Sequence, residues 1–564
     1  MAASLTGAKG QPTTRDRSRQ MSNSRLAPAP NRPVIPSSWL FATLALVATV
    51  IFVVRLPQTL LFDNFAFFDA GANLAAQSLI NEGYRPISDF FYHYGLLSLL
   101  FGRVWFGILG LTPLAGVSAI PLFDFLIIWG FVRIAANLKL NMAGSAIVLL
   151  TAPITIPSSL LNFAHAIEPT FLIHILADVS GGHRRRALAL TMACVFVKPS
   201  MAYFVGFCLL GLLVVKPSRK PRRILYDLIA DLYPAALVGI CFAVLLSVTF
   251  GPTTFLRSVV PAEGANLYRE QGFGFFNGAG RSFLMPRGAP WSYYLANIAG
   301  IWILYSAGLI VAALLGVQIY LDNERQPDHA PEVVIICAIL HLSFVCFFFG
   351  NELSWIYYFY IPVIGLAAAA RFGVGCEVAI FCLALTFPAK EIGKEIVQHL
   401  APNSAVLAAN VPSRILSVPA YRPVFTYQLW FTTAPSAETD WLWAAPQERT
   451  EWTKVLTMVR GSRTALLSNF GGADVIFPEF SPPVTLFFCR GISAADVSRK
   501  ISQLDASSMI VIPRVQSDVL VEFPAIGNLM RKDFTPVFRG AFFAVYRRKM
   551  SSTATGLPTS SMPN

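Results

Sequence analysis

The sequence predicts a polytopic α-helical membrane protein of about eleven spans, followed by a C-terminal extracytoplasmic α/β domain. Three observations predict it. The 564 residues are 55% hydrophobic and only 13% charged, with a mean hydropathy of +0.56, which is too apolar for a soluble chain. The net charge of +13 is carried by short Lys and Arg clusters between apolar runs. That is how positive charge orients a membrane chain, and it gives no reason to expect a nucleic-acid partner. Beyond residue 390 the long apolar runs stop, and short strand-like segments alternate with amphipathic ones.

Residues 1–36 are rich in Ser, Pro and Arg, with Asp16 as their one acid, and read as a disordered basic cytosolic tail. The transmembrane domain, 37–390, opens with the uncharged run Trp39 to Val54. With its flanks this run reaches roughly the 20 residues that cross about 30 Å of hydrocarbon. Residues 56–113 form an outer loop. Within it, Tyr94 to Leu111 is apolar but interrupted by Gly95, Gly102, Arg103, Gly107 and Gly110, and reads as a helix lying in the interface with Trp105 at headgroup depth. The second span, Gly116 to Ala136, returns Arg133 and Lys139 to the cytosol. The third span is 143–159 and the fourth 168–180, with Asn162, His165 and Glu168 on the outer turn between them.

Arg184-Arg185-Arg186 and the cluster Lys216 to Arg223 both belong inside, so the 29 residues between them predict two short or tilted helices. Lys198-Pro199-Ser200 is their outward apex. Further spans are expected at 228–250, 292–320, 332–350, 353–370 and 374–388, with 251–291 as an outer loop and 321–331 inside. An inside start and an odd number of spans leave the domain at 391–550 outside. Its expected strands are Thr464 to Leu467, Met509 to Ile512 and Ala541 to Tyr546, and its expected helices 447–459 and 493–504. Residues 551–564 form a disordered tail. The eight cysteines show no CxxC spacing, which excludes zinc ribbons, redox motifs and a disulfide framework. There is no internal repeat of the kind found in inverted-repeat transporters.

The chemistry concentrates in the first outer loop, where Asp69 and the run Glu82-Gly-Tyr-Arg-Pro-Ile-Ser-Asp89-Phe-Phe-Tyr-His93-Tyr-Gly95 set carboxylates in water beside the bilayer. A hydroxyl attacking an activated carbon needs a base to take its proton, and a leaving phosphate needs positive charge or a metal beside it. Asp69 and Asp89 suit the first task, and Asp63 competes for it. A solvated carboxylate or helix cap is the other reading of Asp69, and a membrane-exit residue that of Asp63. His93 with Asp89 or Glu168 would suit a divalent metal ion; a structural imidazole is the alternative.

Asp69, Gly83, Tyr84, Pro86, Asp89, Phe90 and Phe91 together resemble the first outer loop of the GT-C superfamily of lipid-linked glycosyltransferases, in the branch of aminoarabinose transferases and protein O-mannosyltransferases. The resemblance implies a GT-C-like fold, a polyprenyl-phosphate-linked sugar donor reached through the lipid bilayer, and an acceptor hydroxyl on a glycan, lipid or protein. It implies transfer by direct inverting displacement, with Asp69 as base, Asp89 as a supporting acid and Tyr84 at the substrate. Ala70 stands where some relatives have Glu, which keeps Asp63 open beside Asp69.

Three further segments fit the same template. His165-Ala-Ile-Glu168-Pro169 resembles the second acidic motif, with a helix-capping carboxylate as the alternative. Val197-Lys198-Pro199-Ser200 resembles the hairpin whose Lys approaches the lipid phosphate, with snorkelling to headgroups as the alternative. Trp355 to Pro362 resembles an aromatic segment before a late span, or is an aromatic belt. In loop 251–291, Arg257 and Arg281, with Arg269 and Arg287, are candidates to grip a phosphate or to face headgroups.

The functional expectation is a membrane glycosyltransferase acting on the outer face of a bacterial inner membrane. The alternative is a transporter or flippase of lipid-linked glycans, which would place its functional charges at the midplane, at Asp124 and His341.

Overall fold

A computed structural model describes residues 69–140, 162–214, 221–260, 300–322, 329–349, 359–373, 446–469, 471–489, 491–514 and 519–549, with isolated positions between 264 and 378. The expected spans 39–54 and 143–159, nearly all of the span 374–388, both terminal tails, Asp63, Arg281 and the segment Trp355 to Tyr358 lie outside the described residues.

Helix α1 (Asp69–Asn81) leads through the loop 82–95 to α2 (Leu96–Leu109) and α3 (Pro113–Asn137). Thr112 starts α3 by accepting the Ala115 N–H at 3.2 Å, with Pro113 at the first helical position, where no N–H is needed. Helix α4 (Phe163–Ser180) starts on Asn162, whose side chain accepts the His165 N–H at 3.0 Å. The pair α5 (Arg184–Val195) and α6 (Pro199–Val214) is broken at residues 196–198, where the Lys-Pro apex is expected. Proline at the first position of α6 suits a fresh helix start and cannot continue an old one.

Next come α7 (Pro221–Phe250), α8 (Pro252–Val259), α9 (Gly300–Asp322), α10 (Ala330–Phe349) and α11 (Tyr360–Phe372). Among the described residues one stretch, Leu228–Phe250, is long and apolar enough to cross a membrane on its own; α2, α11 and parts of α3, α9 and α10 are shorter apolar helices. Exposed Leu237, Ile240, Val244 and Val248 on α7, and Ile310, Leu314 and Val317 on α9, turn apolar surface outward. At the far end of α3, Arg133 is ion-paired to Asp178 and Asn137 donates to the Ala177 carbonyl at 2.6 Å, which ties α3 to α4.

Helix α2 is tied to α3 at Trp105. Its indole N–H donates to the Ala115 carbonyl at 2.6 Å, so the ring's polar edge is satisfied by α3. The exposed apolar groups of α2 are Val104, Ile108 and Leu109.

The C-terminal segment contains α12 (Pro446–Val459), β1 (Thr464–Leu466), α13 (Gly472–Ile476), α14 (Ala494–Asp505), β2 (Met509–Pro513), α15 (Val519–Glu522), α16 (Pro524–Asp533), β3 (Phe534–Arg539) and β4 (Phe543–Arg548). The sheet order is β1-β2-β4-β3, with β1 parallel to β2 and the other pairs antiparallel. Alternation along β1 and β2 divides the apolar residues between two cores. Leu466, Met509 and Val511 join Trp452 and Val455 of α12 in the core that runs on into α1 and the helices. Ala465, Ile510 and Ile512 pack with Leu504 and Ile526 on the other face. Strand β3 is absent from the sequence expectation; Pro536 argues against an inner strand, and β3 is in fact the edge, with an irregularity between Pro536 and Phe538.

Candidate functional site

Asp69 is the first residue of α1, at the end where backbone N–H groups have no helical partner. One turn on, the Asn73 Oδ1 accepts the Phe163 N–H at 3.1 Å, which fastens α1 to the start of α4. Helix α1 ends in a left-handed cap. Gly83 has φ +91°, and Gly83 and Tyr84 donate back to Ile80 and Leu79, each at 3.0 Å. The chain then folds on itself around Asp89, whose carboxylate accepts the Arg85 N–H at 2.7 Å while its own N–H reaches the Arg85 carbonyl at 2.8 Å. Asp89 therefore shapes the loop locally, and Tyr84 is half-buried at its edge.

The following residues plunge into the protein. Phe90, Phe91, Tyr92 and Tyr94 are buried, and Gly95 lies against the break between α5 and α6. The Gly95 N–H donates to Val197 O and the Leu97 N–H to Phe196 O, both at 2.8 Å. A Cβ at position 95 would sit 2.1 Å from Phe196 O, so only glycine permits this approach.

The docking sets the loop directly over Lys198. The Lys198 Nζ lies 3.0 Å from Glu168 Oε2, with Glu168 fully buried and Lys198 6% exposed. This geometry decides two alternatives left open by the sequence. Asn162 caps α4, so Glu168 is no cap, and Lys198 points into the protein and does not snorkel outward. Beside the pair, the Tyr94 hydroxyl bonds His165 Nε2 at 2.9 Å and takes a hydrogen bond from Asn162 Nδ2 at 3.3 Å. A small cavity of about 20 Å³, room for a water, opens among Asn73, Gln77, Tyr92, Asn162 and Phe487.

His93 packs between the Phe91 ring, with centroids 5.6 Å apart, and that of Phe487 at 5.4 Å. Burial, reinforced by the Lys198 charge, pushes its imidazole down to about 3, so it is neutral at physiological pH. Among the described residues no three His, Cys, Asp or Glu side chains gather into a metal-binding group. Glu168 Oε2 faces the Lys198 ammonium. Among the described residues this donor set does not complete a divalent-ion site.

Arg257, on α8, is exposed, and α8 meets the loop through the Ser88 and Thr254 hydroxyls, 3.3 Å apart. The site also contains residues that sequence reasoning missed. Asp496, on α14, accepts the Phe91 N–H at 3.1 Å, and Phe487 and Leu486 line the cavity. The one local signal was Ser493-Ala-Ala-Asp496, which reads as a helix start. Asp124 is on α3, and His341 bonds the Tyr360 hydroxyl inside the bundle.

No family model matches the chain, and no curated protein matches it. A solved structure, described as the crystal structure of ArnT from Cupriavidus metallidurans bound to undecaprenyl phosphate, is similar over 92% of this chain and 99% of its own. The identity is 12% and the TM-score 0.47, a likeness that carries no functional argument.

Proposed function

We propose that this chain is a membrane glycosyltransferase of GT-C type that moves a sugar from a polyprenyl-phosphate donor to an acceptor hydroxyl. The observation that carries the reading is the buried Lys198–Glu168 pair, next to the Phe196 and Val197 carbonyls that take the Leu97 and Gly95 N–H groups. A buried cation is costly to maintain, and an ionisable residue inside a membrane protein marks a candidate functional site. The residues Asp69, Gly83, Tyr84, Pro86 and Asp89 resemble the GT-C outer loop, and the chain that follows them docks at Gly95 on Val197, next to Lys198.

In this reading the Asp69 carboxylate takes the proton of the acceptor hydroxyl. The oxygen attacks the anomeric carbon, and the bond from that carbon to the phosphate oxygen breaks with its electron pair leaving on the phosphate. The configuration inverts, and no covalent enzyme intermediate forms. Lys198 meets the phosphate charge as it develops, and Glu168 holds the ammonium in place beforehand. Asp89 keeps the loop folded, Tyr84 lies at its substrate edge, and Arg257 and Arg281 assist with the phosphate from the loop 251–291. No step requires a metal.

The reading places 37–390 in a bacterial inner membrane as the transmembrane domain, with loops 56–113 and 251–291 and the domain 391–550 on the extracytoplasmic side. Glycan, lipid and protein hydroxyls all satisfy the acceptor chemistry. The test is to supply membranes containing the protein with a polyprenyl-phosphate sugar pool and to weigh the product. An acceptor heavier by one sugar residue supports transfer. Movement of the lipid-linked sugar across the bilayer with no new glycosidic bond supports the flippase alternative.

A further inference from the structure

Asp496 lies 405 residues along the chain from Phe91, yet its Oδ2 accepts the Phe91 N–H at 3.1 Å in a buried setting. The residue is 1% exposed. In an ordinary helix start of this kind the N-cap hydroxyl accepts from the third residue, as Ser493 does here from the Asp496 N–H at 3.1 Å, and the acid at that third position turns back to the cap. The Asp496 carboxylate is instead shared. Oδ2 takes the Ser493 hydroxyl and the Phe91 N–H, and Oδ1 takes the Arg499 guanidinium at 2.5 Å.

Two further contacts bracket the same region. The Phe487 ring packs on His93, and the backbone at Gly471 runs so close to α1 that a Cβ there would lie 3.1 Å from the Ala75 Cβ. Both come from the segment of chain between β1 and α14. Phe91 is only four residues before Gly95, whose N–H is bonded to Val197 next to Lys198.

We propose that Asp496 is a positioning residue for the transfer site: through the Phe91 N–H it fixes the buried course of residues 91–95, and with it the placement of the loop over Lys198. The C-terminal α/β segment is then a structural part of the site and not an appended binding module. The proposal rests on the transfer reading for its functional consequence and on geometry alone for its structural one. A charged acceptor on a buried N–H forms one of the stronger protein hydrogen bonds, and its removal leaves that N–H unsatisfied.

The test uses the full chain in lipid nanodiscs. In the wild type, amide exchange of the segment 86–95 is expected to be slow, comparable with that of β2; free exchange there overturns the proposal without any variant. Asp496→Ala is expected to speed exchange of 86–95 by roughly tenfold or more while Leu228–Phe250 stays unchanged. It is expected to lower kcat for sugar transfer by about tenfold, with KM for the polyprenyl-phosphate sugar within about twofold. Asp496→Asn keeps an acceptor oxygen and is expected to recover most of both. Unchanged exchange of 86–95 in Asp496→Ala overturns the positioning role even if the wild type transfers sugar. Faster exchange in a protein whose wild type transfers nothing sustains the positioning and overturns the transfer reading.

Discussion

The Lys198 ammonium and the Glu168 carboxylate stand 3.0 Å apart, one at the break between two helices and the other six residues into a third, with almost no surface left to solvent. Neither charge is stable there alone. Their pairing explains how a cation is held inside the molecule next to the docked loop.

Removing one partner strands the other. Lys198→Met or Glu168→Gln alone is expected to destabilise the protein by about 3–5 kcal/mol, whereas the double variant loses considerably less than the sum. Thermal unfolding of the four proteins in nanodiscs measures the coupling. In sugar transfer both Lys198→Met and the double variant are expected to be inactive, since the stability regained does not restore the charge.

Gly95→Ala places a methyl group where the Phe196 carbonyl now sits. The loop must withdraw from the hairpin, at a cost of about 1–3 kcal/mol as in other overpacked sites. Hydrogen exchange is expected to rise at residues 95–97 and 196–198 together; a rise confined to one of the two segments would contradict the docking.

Asp89 accepts a backbone N–H from its own loop, so its amide and alanine variants are expected to differ. Asp89→Asn retains an acceptor and is expected to keep most transfer activity. Asp89→Ala is expected to lose about 0.5–2 kcal/mol of loop stability, as other backbone-capping carboxylates do, and to lower activity accordingly. Equal loss in both variants would assign Asp89 a charge-dependent role in the reaction.

In the C-terminal segment, burial pushes the Asp474 carboxyl up to about 7, although Lys500 stands 3.9 Å away and opposes the shift. The folded segment thus holds a proton that the unfolded chain releases near 3.8. This contribution is fully present below about pH 4 and is lost as pH rises through about 7. Amide exchange of β2, corrected for intrinsic rates, is expected to accelerate over that window in the wild type and to change less in Asp474→Asn.

Much of this arrangement is legible in the sequence, because charge and proline are local signals. Two basic clusters fix the ends of the α5–α6 hairpin, and Lys198-Pro199 marks its break without any structure. The strands at Thr464 and Met509 are short apolar runs that could be read directly. What was not legible depends on distant partners. Nothing near Gly95 says that Phe196 will lie against it, and nothing near Asp496 says that its carboxylate will leave its own helix start for Phe91. Asp89 looked like a solvent-facing acid because composition does not show that the Arg85 N–H turns toward it.

The central claim is that Asp69 is the base for sugar transfer, and it is tested most directly by the transfer rates of Asp69→Asn and Asp63→Asn in membranes supplied with a polyprenyl-phosphate sugar. A positioned general base contributes about 10²–10⁴-fold, so Asp69→Asn is expected to fall by at least that lower figure while Asp63→Asn stays close to wild type. Full transfer by the Asp69→Asn protein would contradict the account.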